Sequence, residues 1–410
     1  MAPLIVGLTL SGLLLAVAPP MLYAAVLVGG LLTLAVLRDP RLGFYLTVAS
    51  IPMEAAGMVT RLALNTTITI TKVLAVLTLL AWVVHLVSGR RQMLWTREIN
   101  AFALVMVCAA LSLIGARELS NGLQGLVRLG STFVFFVMGV NLMATRRDAY
   151  RAMSLLLLTS CLMFGFAVAQ HFLPQFTFFQ REGWSEGDDW KYGVEQVTID
   201  AGGGRYIARS SGTTLHAVVL SATSASMVPV LVGLATTATT PVGSLAAWAG
   251  LGAAIAANVS SVSRTGIVML VLALVYLLAR GLVRVSATLI VVGGIGALMA
   301  LSLLPANLIN RLFMPSAYRA ATSESISIRK ETNIGALNAM LHNPINGLGV
   351  GNMLGIQDYY INPQSDYLRT KGLKNFSTAN NTYLQTGMEL GVPGLVALMY
   401  LFWTLWQANM

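Results

Sequence analysis

Four arginines in this sequence lie in or beside segments that we assign to the outer side of a membrane, where the positive-inside rule disfavours arginine. They are Arg205, Arg209, Arg264 and Arg329, and Lys330 follows the last of them. A guanidinium group keeps its charge and presents paired N–H donors that match the oxygens of a phosphate. Any one of these arginines is equally well explained as a headgroup anchor. Taken together, the four favour a site for a phosphate or pyrophosphate group.

A second candidate for chemistry is the motif that ends the polar stretch running from 305 to about 380. Asn380 and Asn381 precede the last apolar segment, and Gly391-x-x-Gly394 begins ten positions after Asn381. An asparagine side chain can orient a hydroxyl or a phosphate, but it cannot accept a proton at neutral pH. The only long polar stretch of an otherwise apolar chain is where we expect its chemistry to lie.

The last apolar segment also carries an acid, Glu389, within a stripe of small residues. Gly387, Gly391 and Gly394 lie on this stripe, and close helix packing is the first explanation for such a pattern. An acid inside a membrane is costly unless it is paired, so Glu389 is a candidate functional residue. Arg128, in another apolar segment, is a possible partner. A structural ion pair and a catalytic acid both stay open.

Other proton carriers and metal ligands are sparse. His171 and His216 lie near the ends of apolar segments and are weaker candidates for proton transfer. Cys108 and Cys161, the two cysteines, both lie inside apolar segments, so neither a disulfide framework nor a cysteine-ligated metal is indicated. No group of histidines and carboxylates has metal-ligand spacing, so we expect no metal.

The elements that must position these residues are membrane spans. The 410-residue chain is 56% apolar and 10% charged, which excludes an ordinary soluble domain. A helical span needs about 20 mostly apolar residues, and about twelve such segments occur. They are roughly 3–18, 21–37, 43–59, 70–88, 99–115, 120–143, 149–173, 214–238, 243–258, 264–280, 284–304 and 382–407. The third is interrupted by Pro52 and Glu54, which predicts a broken or re-entrant element.

The net charge of +10 is explained by membrane topology rather than by nucleic-acid binding. Ten arginines occupy alternate loops, and only three acids oppose them there, so these loops supply most of the excess. The arginines are Arg38, Arg41, Arg90, Arg91, Arg97, Arg146, Arg147, Arg151, Arg280 and Arg284, and the acids are Asp39, Glu98 and Asp148. Basic loops stay in the cytoplasm, which places both termini there and the segments 174–213, 258–264 and 305–380 outside.

The sequence therefore predicts an all-α polytopic membrane protein in a single membrane domain, 1–410, with a long periplasmic segment between the last two spans. Residues 174–213 form an outer loop that is aromatic, then acidic, then rich in glycine. Within 305–380 we expect a helix over about 325–341, because Thr332, Ala336 and Ala339 recur at helical spacing. Pro344 and the glycine-rich run after it should end this helix.

The order of these motifs resembles the O-antigen ligase and polymerase superfamily. Arg209 followed by Gly212 is similar to its arginine-glycine entry to a membrane helix, and Ser263-Arg264-Thr265-Gly266 to its Ser-Arg-x-Gly element. The stretch from Arg329 to Asn352 resembles its arginine-led helix and glycine-rich turn, and Asn380 stands where the family begins its exit motif with histidine. The resemblance covers roughly 205–400 by motif.

The resemblance implies an inverting glycosyltransferase of a Gram-negative inner membrane that uses no metal or other cofactor. Its donor would be a glycan on undecaprenyl pyrophosphate, and a ligase would transfer that glycan to lipid A–core oligosaccharide. Arg205, Arg209, Arg264, Arg329 and Lys330 would bind the pyrophosphate, and Arg264 would also stabilise the charge that develops as it leaves. Substrates and membrane lipids, and no nucleic acid, are the implied partners.

Asn380 departs from the family at the position of the general base. The implied histidine would take a proton from a sugar hydroxyl, which asparagine cannot do. Either the chain is a slowed, engineered variant, in which case Asn380→His should raise the rate, or another group serves.

Two alternatives stay open. An O-antigen polymerase shares the same motifs. We favour the ligase because the long outer segment lies directly before the last span. A lipid or glycan transporter would place charged residues along mid-membrane helices, whereas here they gather at one face.

Overall fold

A computed structural model of the chain describes residues 20–53, 58–62, 66–173, 199–200, 206–207, 210–214, 217–261, 263–279, 281, 319–353 and 381–408. Within these ranges the helices are α1 (Pro20–Arg38), α2 (Pro40–Ser50), α3 (Ile70–Val87), α4 (Arg97–Ser112), α5 (Leu119–Leu142), α6 (Arg146–Phe172), α7 (Ala217–Thr237), α8 (Pro241–Ser260), α9 (Arg264–Ala279), α10 (Arg319–His342) and α11 (Thr382–Ala408). Short 3₁₀ turns follow α2 and α4, at Ile51–Met53 and Leu113–Gly115.

Two small antiparallel hairpins accompany the helices. Strand β1 (Met58–Leu62) pairs with β2 (Thr66–Thr69), and β3 (Ile199–Asp200) pairs with β4 (Tyr206–Ile207). The first hairpin follows α2, so the third predicted span is indeed interrupted. Pro52 lies in the 3₁₀ turn at that point, where its missing N–H and fixed φ stop the helix.

Seven helices within the described residues are long and apolar enough to cross a membrane, namely α3, α4 with its 3₁₀ turn, α5, α6, α7, α8 and α11. Shorter apolar helices cover Leu27–Arg38 and Thr265–Ala279. The chain thus has the character of a multi-pass helical membrane protein, and the helices lie where the apolar segments predicted them. The segments 3–18 and 284–304 lie outside the described residues, so a total of twelve spans stays a prediction.

Threonines at the helix starts explain several of these boundaries. A threonine side chain accepts a hydrogen bond from the backbone N–H three residues later, which satisfies one of the free donors of the first turn. The pairs are Thr69 with Lys72, Thr96 with Ile99, Thr145 with Asp148 and Thr240 with Gly243. Pro40 and Pro241 follow capping residues at first helical positions, where a missing N–H costs nothing.

The chain divides into two compact units, and unit 1 comprises 1–92 and 142–308. Its core lies where α7 packs on α8 and α9, and α8 also packs on α6. The fully buried side chains there include Met163, Phe164, Leu220, Val228 and Ala254.

The basic end of unit 1 is held together by its few acids. The carboxylate of Asp148 accepts a hydrogen bond of 2.7 Å from the Tyr45 hydroxyl and lies 3.4 Å from the Arg41 guanidinium. Asp39 lies 3.4 Å from Arg91. The acids of these basic loops therefore lie within reach of arginines.

Unit 2 comprises 93–141 and 309–410, and α11 is at its centre. Helix α11 packs on α4 and on α10. Phe102 on α4 meets Phe133 on α5 edge to face, with 5.3 Å between ring centroids. The buried cluster around them also takes in Val350 and Leu390, which belong to the region described next.

Candidate functional site

Helix α11 is broken near the end of its first third. Gly391 has φ 72° and ψ −174°, a backbone conformation that side-chain-bearing residues rarely adopt. Pro393 follows two residues later and has no N–H to donate to the carbonyl of Glu389, its partner in a continuous helix. The Val392 N–H also leaves the helix and donates to the Pro344 carbonyl at 2.8 Å. The sequence Gly-Val-Pro-Gly thus frees the carbonyls of Met388 and Glu389.

The glycine-rich turn after α10 satisfies both freed carbonyls. Leu348 donates its N–H to the Met388 carbonyl at 2.8 Å, and Gly349 donates to the Glu389 carbonyl at 3.0 Å. Irregular backbone at membrane depth is tolerated when protein groups satisfy it, and here backbone pairs with backbone. The break is therefore a fixed feature of unit 2.

Close approach explains the glycines of this turn. Gly347, Gly349 and Gly351 all have positive φ, between 64° and 90°. A Cβ on Gly347 would lie 2.5 Å from the Glu389 carbonyl carbon and oxygen, which is inside contact distance. On the partner helix, a Cβ on Gly387 would collide with Met340 of α10. The predicted packing role of the small-residue stripe is confirmed.

The Glu389 side chain lies at the break and is almost fully buried. One carboxylate oxygen accepts a hydrogen bond of 2.9 Å from the Gln385 amide, one helical turn earlier. The other accepts a hydrogen bond of 3.1 Å from the Gly351 N–H. Each oxygen has two lone pairs, so each keeps one acceptor position free.

Glu389 lines a cavity of about 330 Å³ whose wall combines polar and apolar side chains. Its polar lining comprises Arg128, Thr132, Thr382, Gln385, Thr386 and Glu389. Arg128 makes no side-chain hydrogen bond or ion pair within the described part of the chain, so the suggested Arg128–Glu389 ion pair is not formed there. Instead the two charges share one cavity.

The start of α11 is capped by Asn381. Its side-chain oxygen accepts hydrogen bonds from the N–H groups of Tyr383, at 3.0 Å, and Leu384, at 3.3 Å. Asparagine is among the best residues at this position. Asn381 therefore fixes where the helix begins, directly after Asn380, which itself lies outside the described residues.

Helix α10 extends over Arg319–His342, longer at its start than the predicted helix, and ends as predicted before Pro344. Thr332, Gly335, Ala336 and Ala339 are buried, which confirms the predicted apolar face. Arg329 and Lys330 are exposed on the same helix. They are therefore available to a ligand.

In unit 1, the Ser-Arg-x-Gly element begins α9. The Ser263 hydroxyl accepts a hydrogen bond of 3.3 Å from the Gly266 N–H, which caps the helix. A Cβ on Gly266 would collide with the Ser221 side chain of α7, so this position needs glycine. Arg264 is the first residue of α9, and its side chain lies outside the described residues.

The chain that follows Arg209 is also held firmly, because residues 210–214 are buried. Gly212 has φ 62°, and its N–H donates to the Gln170 side chain at 3.0 Å. The Ser210 N–H donates to the Ser260 carbonyl at 3.2 Å. Arg205, Arg209 and His216 lie outside the described residues.

Residues 245–399 match the family model described as O-antigen ligase. The match runs from α8 to the break in α11 and beyond it, and so includes every element of the site in unit 2 except α4 and α5. Over this region, the chain is similar to the O-antigen ligase family. No curated protein and no solved structure matches the chain.

The structure places the motif glycines Gly391 and Gly394 at a helix break and Asn381 at a helix cap. The shared cavity brings together Glu389 and Arg128, which the sequence raised only as possible partners. Sequence reasoning missed Gln385 and the Gly351 N–H as contacts of Glu389. The i, i+4 spacing of Gln385 and Glu389 was an available signal, whereas the Gly351 contact had none. The convergence of Arg209, Arg264 and Arg329 stays a prediction.

Proposed function

We propose that the chain is an O-antigen ligase. It moves a glycan from undecaprenyl pyrophosphate to lipid A–core oligosaccharide at the periplasmic side of the Gram-negative inner membrane. The observation that carries the proposal is the family match over 245–399, which falls on the arginine-led and glycine-rich motifs read from the sequence.

The donor site consists of Arg205, Arg209, Arg264, Arg329 and Lys330. Their guanidinium and ammonium groups bind the pyrophosphate, and charge on the leaving group is stabilised as it develops. The exposure of Arg329 and Lys330 on α10 is compatible with this role. Asn380 orients the acceptor hydroxyl or a phosphate beside the start of α11.

The reaction inverts the anomeric centre in one displacement. The acceptor oxygen forms a bond to the anomeric carbon, and the bond from that carbon to the pyrophosphate oxygen breaks. The bonding electrons leave with the pyrophosphate, and the acceptor hydroxyl proton goes to a base. Positioning and electrostatic stabilisation supply most of the rate enhancement in such a step.

Deletion of the gene tests the proposal. We expect short lipopolysaccharide together with polymerised glycan that accumulates on its lipid carrier. Loss of glycan polymerisation would instead identify the alternative, an O-antigen polymerase, which shares the family match. Unchanged lipopolysaccharide and unchanged carrier-linked glycan would exclude both activities. Accumulation of carrier-linked glycan on the cytoplasmic side would instead favour the transporter alternative.

A further inference from the structure

The cavity beside the break in α11 has the composition of a sugar-binding site rather than of a phosphate site. It is lined by one positive side chain, Arg128, and one negative side chain, Glu389. A phosphate would gain from the arginine but would be repelled at short range by the buried Glu389 carboxylate. A neutral ligand with several hydroxyls can donate to the carboxylate and accept from the guanidinium.

The remaining lining fits the same ligand. Gln385, Thr382, Thr386 and Thr132 add amide and hydroxyl groups, and Leu129 and other apolar side chains supply surface for the C–H face of a sugar ring. The volume, about 330 Å³, is at the small end of the range for ligand sites. It suits a terminal sugar rather than a long glycan.

We propose that this cavity binds the acceptor sugar and that the Glu389 carboxylate is the general base of the transfer. The inference rests on the proposed function. As the acceptor oxygen bonds to the anomeric carbon of the donor sugar, its proton moves to a free lone pair of Glu389. The bond to the pyrophosphate breaks, and its electron pair leaves with that group.

Two features of the structure are consistent with Glu389 as the general base. The contacts from Gln385 and from the Gly351 N–H fix its carboxylate at the cavity wall while one acceptor position on each oxygen stays free. Arg128, which has no partner within the described residues, is available to hold a second hydroxyl of the same sugar. A carboxylate on the cavity wall also accounts for an exit motif that begins with asparagine instead of a proton acceptor.

The contrasting explanation is structural, since Glu389 also ties the glycine-rich turn to α11. Glu389→Gln separates the two roles. Its amide oxygen can still accept from Gly351, but it cannot take a proton. Transfer is measured with the full chain in lipid nanodiscs, with carrier-linked glycan as donor and lipid A–core as acceptor.

We expect Glu389→Gln to lower kcat at least about 10²-fold, the usual contribution of a positioned base, with an unchanged melting temperature. The pH–rate profile of the wild type should rise as a carboxylate ionises, and the variant should lose that rise. A Gln variant with wild-type kcat and pH profile would show that Glu389 only holds Gly351, and it would overturn the base assignment. Thr404→Val, buried farther along α11 away from the cavity, is the control and should match the wild type.

Arg128→Gln tests the cavity without disturbing the helix break, because the Arg128 side chain is exposed and unpaired within the described residues. We expect the KM for lipid A–core to rise about tenfold, equivalent to one lost charge-assisted hydrogen bond, with the KM for the donor unchanged. A rise in the donor KM alone would assign the cavity to the pyrophosphate and overturn the proposal, as would two unchanged values. A wild type that transfers no glycan overturns the ligase proposal itself, whereas an active wild type with unaffected variants overturns only the cavity assignment.

Discussion

Within the described residues, a polar cluster around Asn258 in unit 1 and one around Glu389 in unit 2 are built in opposite ways. In unit 1, the Asn258 amide donates to the Ser221 carbonyl at 2.9 Å, the Ser224 hydroxyl at 3.0 Å and the Gly266 carbonyl at 3.3 Å. Asn258 is 0% exposed, and the cluster carries no charge. In unit 2, the Glu389 carboxylate has two protein partners, and it faces a cavity that is also lined by Arg128, which has no side-chain partner within the described residues.

The difference distinguishes polar groups that join helices from polar groups that face a cavity and can contact a ligand. The neutral cluster joins α7, α8 and α9 through hydrogen bonds, and each interhelical hydrogen bond in a membrane stabilises by only about 0.6 kcal/mol on average. A buried charge is costly, so a carboxylate that opens to a cavity is a functional candidate by default. The closed cluster thus holds the start of the helix that carries Arg264. The open cluster is the one to which we assign the acceptor sugar in our proposal.

The largest expected effect concerns the backbone of the open cluster. Gly391→Ala places a Cβ on a residue with positive φ and against the Ile345 carbonyl. We expect unit 2 to lose about 3 kcal/mol of stability from backbone strain and steric overlap together, measured by thermal unfolding in detergent. The control is Gly252→Ala on α8, where a Cβ meets nothing within 4 Å. If both variants unfold alike, the break in α11 is not a fixed element.

The next effect tests what the closed cluster holds in place. Arg264→Lys keeps the charge at the start of α9 but loses the paired N–H donors that match a phosphate. We expect transfer to fall about 10²-fold, as for loss of one stabilising donor in a transition state, with stability unchanged. Arg146→Lys in a basic loop should have no effect. Full activity of Arg264→Lys would remove the phosphate role from this position.

A smaller effect is expected for the centre of the closed cluster. Asn258→Ala removes the amide whose two N–H groups are shared among three acceptors on α7 and α9, and we expect a loss of about 1–2 kcal/mol in thermal unfolding. The rate per folded molecule should stay close to that of the wild type. Ser226→Ala, at an exposed position on α7, serves as the control. A large loss of transfer rate at unchanged stability would mean that the Asn258 cluster, like the proposed Glu389 cluster, takes part in the reaction.

The smallest effect concerns the cap between the closed cluster and Arg264. Ser263→Ala removes the acceptor for the Gly266 N–H and should cost about 1 kcal/mol, the usual value for a lost N-cap. Ser263→Thr keeps the hydroxyl and should retain most of the stability. Equal unfolding temperatures for the two variants would show that the cap hydrogen bond contributes nothing.

Most helices could be predicted from the sequence, because a bilayer demands long apolar segments and little else has that pattern. The interruption at Pro52 and the apolar face of α10 were also readable, since proline chemistry and helical periodicity are local properties. For the segments 174–213 and 305–380, the charge pattern predicted a membrane side but not a conformation. The roles of Arg205, Arg209 and Asn380 stay predictions.

The sequence by itself determined which residues can carry charge, which can cap a helix and where α11 can break. Pro393 leaves the Glu389 carbonyl without its helical donor whatever the fold, and Gly391 permits the turn. Only the tertiary structure decided what fills that gap. The donors come from Leu348 and Gly349, some 40 positions earlier in the chain, and no local pattern specifies such a pairing. The same holds for Arg128, because a shared cavity depends on how α5 and α11 pack and not on the spacing of their residues.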